Sequence, residues 1–228
     1  MTGFVPRLDI LPAPQRRLWD ELAAVPKEFV LYGGTAIALH LGHRASVDFD
    51  FFGNRNLDPE QLVPAIPFLA GAIVTQREPN SFGCTVERGG LVKLAFFGLP
   101  GLPRLLPPLI AADNGLQVAS LLDLAGTKVA VVQMRAEAKD YIDIDALLAD
   151  GSMDLPTALA AGGAIYGSAF NPQSTLKALS YFDDGNLGRL PRPIRDRLAK
   201  AAREVDLDRL PVIAAFGDGA DPGPGLAR

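Results

Sequence analysis

Phe29-Val30-Leu31-Tyr32-Gly33-Gly34, followed past residues 35–46 by Val47-Asp48-Phe49-Asp50-Phe51, is the stretch that decides the fold. Phe29 to Tyr32 is a short apolar run of strand formers, and Gly33-Gly34 breaks it. Thr35 to Leu41 reads as one compact helix with Gly42 as its C-terminal stop. His43-Arg44-Ala45-Ser46 is a polar loop into an acidic strand. Asp48 and Asp50 stand one residue apart, so a strand places both on one face. Phe49 and Phe51, with Val47, are expected to be buried on the other. Like charges on one face repel unless a cation neutralises them, and a divalent ion with hard oxygen ligands does so while leaving room for phosphate oxygens. A glycine pair lets backbone approach a phosphate closely, and a helix N-terminus presents free N–H groups and partial positive charge to an anion. The order strand, Gly-Gly turn, helix, loop, acidic strand therefore points to metal-assisted chemistry on a nucleotide.

Outward from this unit the first half of the chain reads as α/β. A helix opens at Pro14 and carries to Ala24, and another begins with Asp58 as N-cap and Pro59 at its first position. Residues 72–77, 82–87 and 91–97 read as strands, the last two joined by the hairpin signal Arg88-Gly89-Gly90. Glycines and prolines between Gly98 and Pro108 interrupt regular structure, and residues 116–119 return as one more strand. Helices are then expected from Ser120 to about Gln133, from Lys139 to Ala149, after Asp154, from Asn171 to about Tyr181, and from Arg192 to Val205. The predicted fold is α+β: an α/β domain over residues 1–115, an all-helical domain over 116–215, and a disordered tail over 216–228.

Composition sets the outer limits. The 228 residues are 48% hydrophobic and 21% charged, an ordinary globular balance. No apolar run reaches membrane-spanning length, and the N-terminus lacks the basic region and apolar core of a signal peptide. Cys84 is the only cysteine, which excludes an intrachain disulfide and a cysteine metal site, and suits a reducing cytoplasm. A net charge of −4 argues against bulk electrostatic binding to nucleic acid but leaves room for a local basic groove. The chain has no Gly-x-Ser-x-Gly, no Gly-x-x-x-x-Gly-Lys-Ser/Thr and no dinucleotide fingerprint. His40 and His43 have no third ligand beside them, and the arginines and lysine of residues 189–203 read as a solvated helix face or an RNA-contacting one.

The glycine pair, spacer and Asp-x-Asp together resemble the nucleotidyltransferase superfamily typified by DNA polymerase β. Within it, Gly33-Gly34-Thr35-Ala36 followed by Gly42-His43-Arg44-x-Ser46-x-Asp48-Phe49-Asp50-Phe51-Phe52 looks like the AbiEii/AbiGii toxin group. Arg135-Ala136-Glu137-Ala138-Lys139-Asp140-Tyr141-Ile142-Asp143 is similar to that group's downstream Arg…Lys-Asp element. The likeness covers about residues 27–183. It implies a nucleotidyltransferase-fold N-terminal domain and a nucleoside triphosphate donor with Mg²⁺ or Mn²⁺ held by Asp48 and Asp50. It further implies an RNA acceptor, with tRNA in view, and a cognate antitoxin.

Gly33 and Gly34 would then cradle phosphates, Lys128, Arg135 and Lys139 would neutralise their charge, and Asp140 would serve as base or metal ligand. Arg135 is seven residues beyond Lys128, so one continuous helix would put both nearly on one face. Thr35 caps the helix or meets a phosphate, Arg44 and Ser46 contact phosphates or brace their loop, and Asp143 and Asp145 read as solvated or structural. The superfamily's third carboxylate is missing: Ala95, in Gly90 to Phe97, stands where an acid is expected. Either another acid such as Glu87 or Asp140 substitutes, or one metal suffices, or the chain is a degenerate member that senses nucleotide or binds a partner without transfer.

Overall fold

The computed structural model describes residues 4–215, so the expected tail lies outside the described residues. Seven strands form one mixed sheet: β1 (Phe29–Tyr32), β2 (Asp48–Gly53), β3 (Ile73–Glu78), β4 (Ser81–Glu87), β5 (Leu91–Gly98), β6 (Leu109–Ile110) and β7 (Gln117–Val118). Their spatial order is β3-β4-β5-β2-β1-β7-β6. β1 runs antiparallel to β2, and β2 runs parallel to β5 with Asp48 beside Lys93, Asp50 beside Ala95 and Phe52 beside Phe97. β4 and β5 form the predicted hairpin. β7 pairs parallel with β1, so the strand expected over residues 116–119 joins the sheet from beyond the boundary placed at residue 115.

Period-2 alternation sorts β2 cleanly. Phe49 and Phe51 are fully buried and join Leu94, Phe96, Trp19 and Leu22 in the main core, while Asp48, Asp50 and Phe52 take the other face. Val47 lies just before the strand and is 48% exposed, contrary to the expectation that it is buried, because the pleat begins only at Asp48.

Eight α-helices are described: α1 (Ala13–Leu18), α2 (Gly33–Leu41), α3 (Pro59–Ala65), α4 (Leu121–Val131), α5 (Ala138–Ala149), α6 (Leu155–Tyr166), α7 (Pro172–Ala178) and α8 (Arg192–Glu204). Four start where a side chain was expected to cap them: Asp58, Ser120, Asp154 and Asn171 each accept a hydrogen bond from a first-turn N–H. The glycine pair is the opening turn of α2, not a linker before it. α4 ends at Val131, two residues short of the expected Gln133. The cluster Val129-Ala130-Val131-Val132 is poor helix former by β-branching, and the chain must turn there to bring α5 back. No helix is long and apolar enough to cross a membrane among the described residues.

Candidate active site

A cleft of about 320 Å³ opens over the Asp48–Asp50 face of the sheet. Gly33, Gly34, Thr35, Arg44, Ser46, Asp48, Asp50, Lys128, Arg135 and Lys139 all line it, drawn from α2, the following loop, β2, α4, the α4–α5 connection and the first turn of α5. Of the predicted site residues only Asp140 does not line it; it lies fully buried beneath.

The glycines are required by the protein's own side chains. Gly33 has φ +74°, and a Cβ there would sit 2.5 Å from Asp50 Oδ2. A Cβ on Gly34 would overlap Arg44 Nη2 and lie 3.2 Å from Asp143 Oδ2. Bare backbone at these two positions thus admits one acid and one cation to the floor of the cleft, beside the first-turn N–H groups of α2.

Asp48 and Asp50 have no ion-pair partner among the described residues. Burial pushes the Asp50 carboxyl above the ordinary range and the neighbouring Asp48 charge adds to it, against the pull of Lys128, Lys139 and Arg135. Two oxygen-ligand side chains with unrelieved negative charge fit a divalent ion that keeps further positions for phosphate or water. Ala95, in register with Asp50, offers no third ligand, and no cluster of three or more His, Cys, Asp or Glu residues is gathered for a metal among the described residues.

The opposite wall is a network of ion pairs. Lys128 Nζ donates to Asp140 Oδ1 at 2.6 Å and reaches Asp143 Oδ2 at 2.8 Å, which leaves one of its three N–H groups for the cleft. Arg135 donates to both Asp140 oxygens, at 2.8 and 3.1 Å. Arg44 grips Asp143 with two bonds of 2.7 and 2.9 Å, and His43 Nε2 meets the same carboxylate at 2.7 Å. Burial alone would raise both carboxyls, but these partners outweigh it and hold Asp140 and Asp143 below the usual range. Lys139 is half exposed and pairs with Glu137 at 3.0 Å.

Several side chains therefore stand differently from expectation. Arg135 lies beyond the end of α4 and reaches the cleft through its ion pair with Asp140, not along a helical face shared with Lys128. Asp140 has both oxygens engaged by cations. Of the two readings open for Asp143, solvated or structural, the second holds: it is the hub that ties the residue 43–46 loop to α5, and its i,i+3 spacing from Asp140 was the available signal. Asp145 carries a two-bond pair to Arg197. A hydroxyl has one hydrogen and a carbonyl only accepts, so Thr35 donates to the Asp48 carbonyl and receives the Ser46 hydroxyl at 2.8 Å. Both residues brace the entry to β2. Burial lowers the pKa of His40, whose Nε2 is bonded to the Ala119 carbonyl at 2.9 Å, and Cys84 is a buried core residue.

Phe52, Phe97, Tyr166 and Val131 also line the cleft and were not singled out in the sequence. Phe52 stacks on Tyr32 with ring centroids 4.6 Å apart and meets Phe97 edge-on. Phe52 shares the Asp50 face by alternation, but Phe97 was legible as their same-face neighbour only once the β2–β5 register was known.

A mixed sheet carrying an acidic strand beside a Gly-Gly helix start, faced by cations across a cleft, is the architecture of a nucleotidyltransferase. The family model described as nucleotidyl transferase AbiEii toxin, type IV TA system, matches residues 17–216, and the chain belongs to that family. Two solved structures share the fold. MenT4, a nucleotidyltransferase toxin of Mycobacterium tuberculosis H37Rv, superposes with a TM-score of 0.55 at 18% identity, covering 83% of each chain. A crystal structure from H. pylori assigned to the nucleotidyltransferases gives 0.52 at 17% identity, over 83% of this chain and 91% of that one.

An uncharacterised protein of Aquifex aeolicus is 27% identical over 149 residues, 64% of this chain and 70% of its own length. The Fe(3+) ions import ATP-binding protein FbpC of Pseudomonas fluorescens is 27% identical over 239 residues, 92% of this chain. The chain spans 65% of the length of that protein and lacks a Gly-x-x-x-x-Gly-Lys-Ser/Thr phosphate loop.

Proposed function

We propose that this cleft moves a nucleoside monophosphate from a nucleoside triphosphate to an acceptor hydroxyl on RNA, tRNA being the acceptor to try first. The observation that carries the reading is the unpaired Asp48–Asp50 couple facing Lys128, Arg135 and Lys139 across one cleft. Asp48 and Asp50 would hold Mg²⁺ or Mn²⁺, which supplies charge neutralisation and in-line alignment of the phosphates when bound. The first-turn N–H groups of α2 at Gly33, Gly34 and Thr35 receive phosphate oxygens. Lys128, Arg135 and Lys139 stabilise negative charge as it gathers on the departing pyrophosphate. Asp140 and Asp143 work through those cations: they hold the Lys128 and Arg135 heads at fixed positions, so no reorganisation is needed as charge moves. Phe97 and Tyr166 give the nucleoside an aromatic wall. The protein acts in the cytoplasm, as the toxin partner of a cognate antitoxin.

Ala95 favours a second reading, a degenerate member that binds nucleotide and transfers nothing. Label from each of four α-labelled nucleoside triphosphates, offered with total RNA and Mg²⁺ to wild type and Asp48→Ala, separates the two. Labelled RNA from wild type alone supports transfer. Nucleotide binding without labelled product in any fraction supports the second reading.

A further inference from the structure

A second concavity, of about 490 Å³, lies along the surface from the cleft, and Lys27, Arg55 and Arg104 line it with Glu28, Asn54 and Gln117. None of the three cations forms an ion pair among the described residues. Lys27 Nζ donates to the Gly115 carbonyl at 3.0 Å, and Arg104 Nη2 to the Glu28 carbonyl at 3.4 Å. These neutral partners steady two of the side chains without an ion pair; the charge of the buried Asp123 reaches Arg104 at longer range, and Glu28 is the single acid on the rim. On a chain of net charge −4, three such cations in one hollow call for an anionic occupant.

The hollow connects to the reaction centre. Phe52 lines both the cleft and a small notch shared with Asn54 and Arg104, and these two also line the second concavity. Asp48, Asp50 and Phe52 lie in that order on one face of β2, and the chain then leads on to Asn54 and Arg55. At strand rise, Asp50 to Asn54 spans on the order of 14 Å. An exposed cationic track leading to a partly open aromatic ring is what single-stranded nucleic acid uses, phosphates on the cations and a base on the ring.

We propose that this concavity holds the backbone of a single-stranded RNA acceptor, with Arg55, Arg104 and Lys27 on its phosphates and its terminal nucleotide laid over Phe52 towards Asp48 and Asp50. This rests on the transferase reading and deepens it by locating the acceptor. The test is binding of a fluorescent, unstructured oligoribonucleotide over a salt series, with transfer measured separately. The proteins are wild type, the double variant Arg55→Gln/Arg104→Gln, and Arg16→Gln/Lys177→Gln, a control at two exposed cations elsewhere.

The site variant should bind about tenfold more weakly near physiological salt, and its slope of log K against log salt should be shallower by roughly 1.4, two single-strand phosphate contacts' worth. The control should match wild type, and nucleoside triphosphate binding should be unchanged in all three. No binding by wild type, an unchanged slope in the site variant, or an equal loss in the control overturns the proposal. Label appearing on protein, undiminished in the site variant, also overturns it while preserving transfer. RNA binding that follows the prediction without any transfer leaves the acceptor track standing and removes the transferase reading instead.

Discussion

Two pairs of aspartates serve this protein in opposite ways. Asp48 and Asp50 share one face of a strand, form no ion pair among the described residues, and Asp50 is held above its ordinary pKa by burial and its neighbour. Asp140 and Asp143 share one face of α5, are more deeply buried, and are saturated by Lys128, Arg135, Arg44 and His43. The first pair is an unmet electrostatic demand that a bound ion can fill. The second is a met demand, whose product is a set of fixed cations. Lys128 joins the two, bonded to the helix pair while its charge pulls on Asp50.

If this contrast is right, the two pairs respond oppositely to mutation. Asp48→Ala should reduce nucleotidyl transfer by on the order of a thousandfold, the scale of removing a principal electrostatic group. Its melting temperature should hold or rise, because a repulsion is relieved. A large loss of stability would show that Asp48 has a structural partner after all. Asp143→Ala should instead destabilise by about 3–5 kcal/mol in denaturant titration, since it strands Arg44 and leaves Lys128 with one partner. A neutral result would reduce the helix pair to decoration.

A smaller change tests the link between loop and network. Gly34→Ala must displace Arg44 from Asp143 and should cost about 1–3 kcal/mol, as overpacking does. Unchanged stability would mean that Arg44 is free to swing away.

The pH dependences also differ in sign. Asp140 and Asp143 have depressed folded pKa values, so their stabilisation is present above the unfolded value of about 4 and lost as pH falls through the folded values. Asp50 is raised, so its contribution is present below about 4 and lost as pH rises through its folded value. Mg²⁺ should therefore raise the melting temperature at neutral pH, by less as pH falls through the Asp50 titration, and not at all in Asp50→Asn. An equal rise in that variant would place the ion elsewhere. The smallest effect concerns Ala95. Ala95→Asp should tighten divalent-ion binding by calorimetry and lower metal-free stability, because it adds a third charge beside Asp50. No gain in affinity would mean that the register neighbour does not reach the ion.

The local grammar of the chain was legible because it is set by neighbours in sequence. Alternation put Phe49 and Phe51 inside and the acids outside, and Asp58, Ser120, Asp154 and Asn171 announced helix starts through side chains that reach only two or three residues ahead. The glycine pair and the acid pair could be read together for the same reason, whereas the Arg135…Lys139-Asp140 element, distant in sequence, was joined to them only by the family resemblance. The aromatic wall was not legible, since Phe97 and Tyr166 meet Phe52 only after β5 and α6 have packed.

By itself, then, the sequence determined which residues would present charge and where helices and strands begin, because spacing and capping act over a few residues. Tertiary structure alone decided which charges are paired. Arg44 with Asp143 and Lys128 with Asp140 meet only when α4, α5 and the residue 43–46 loop converge, and burial there makes every uncompensated charge costly. That same burial separates a carboxylate that organises cations from one left open to receive them.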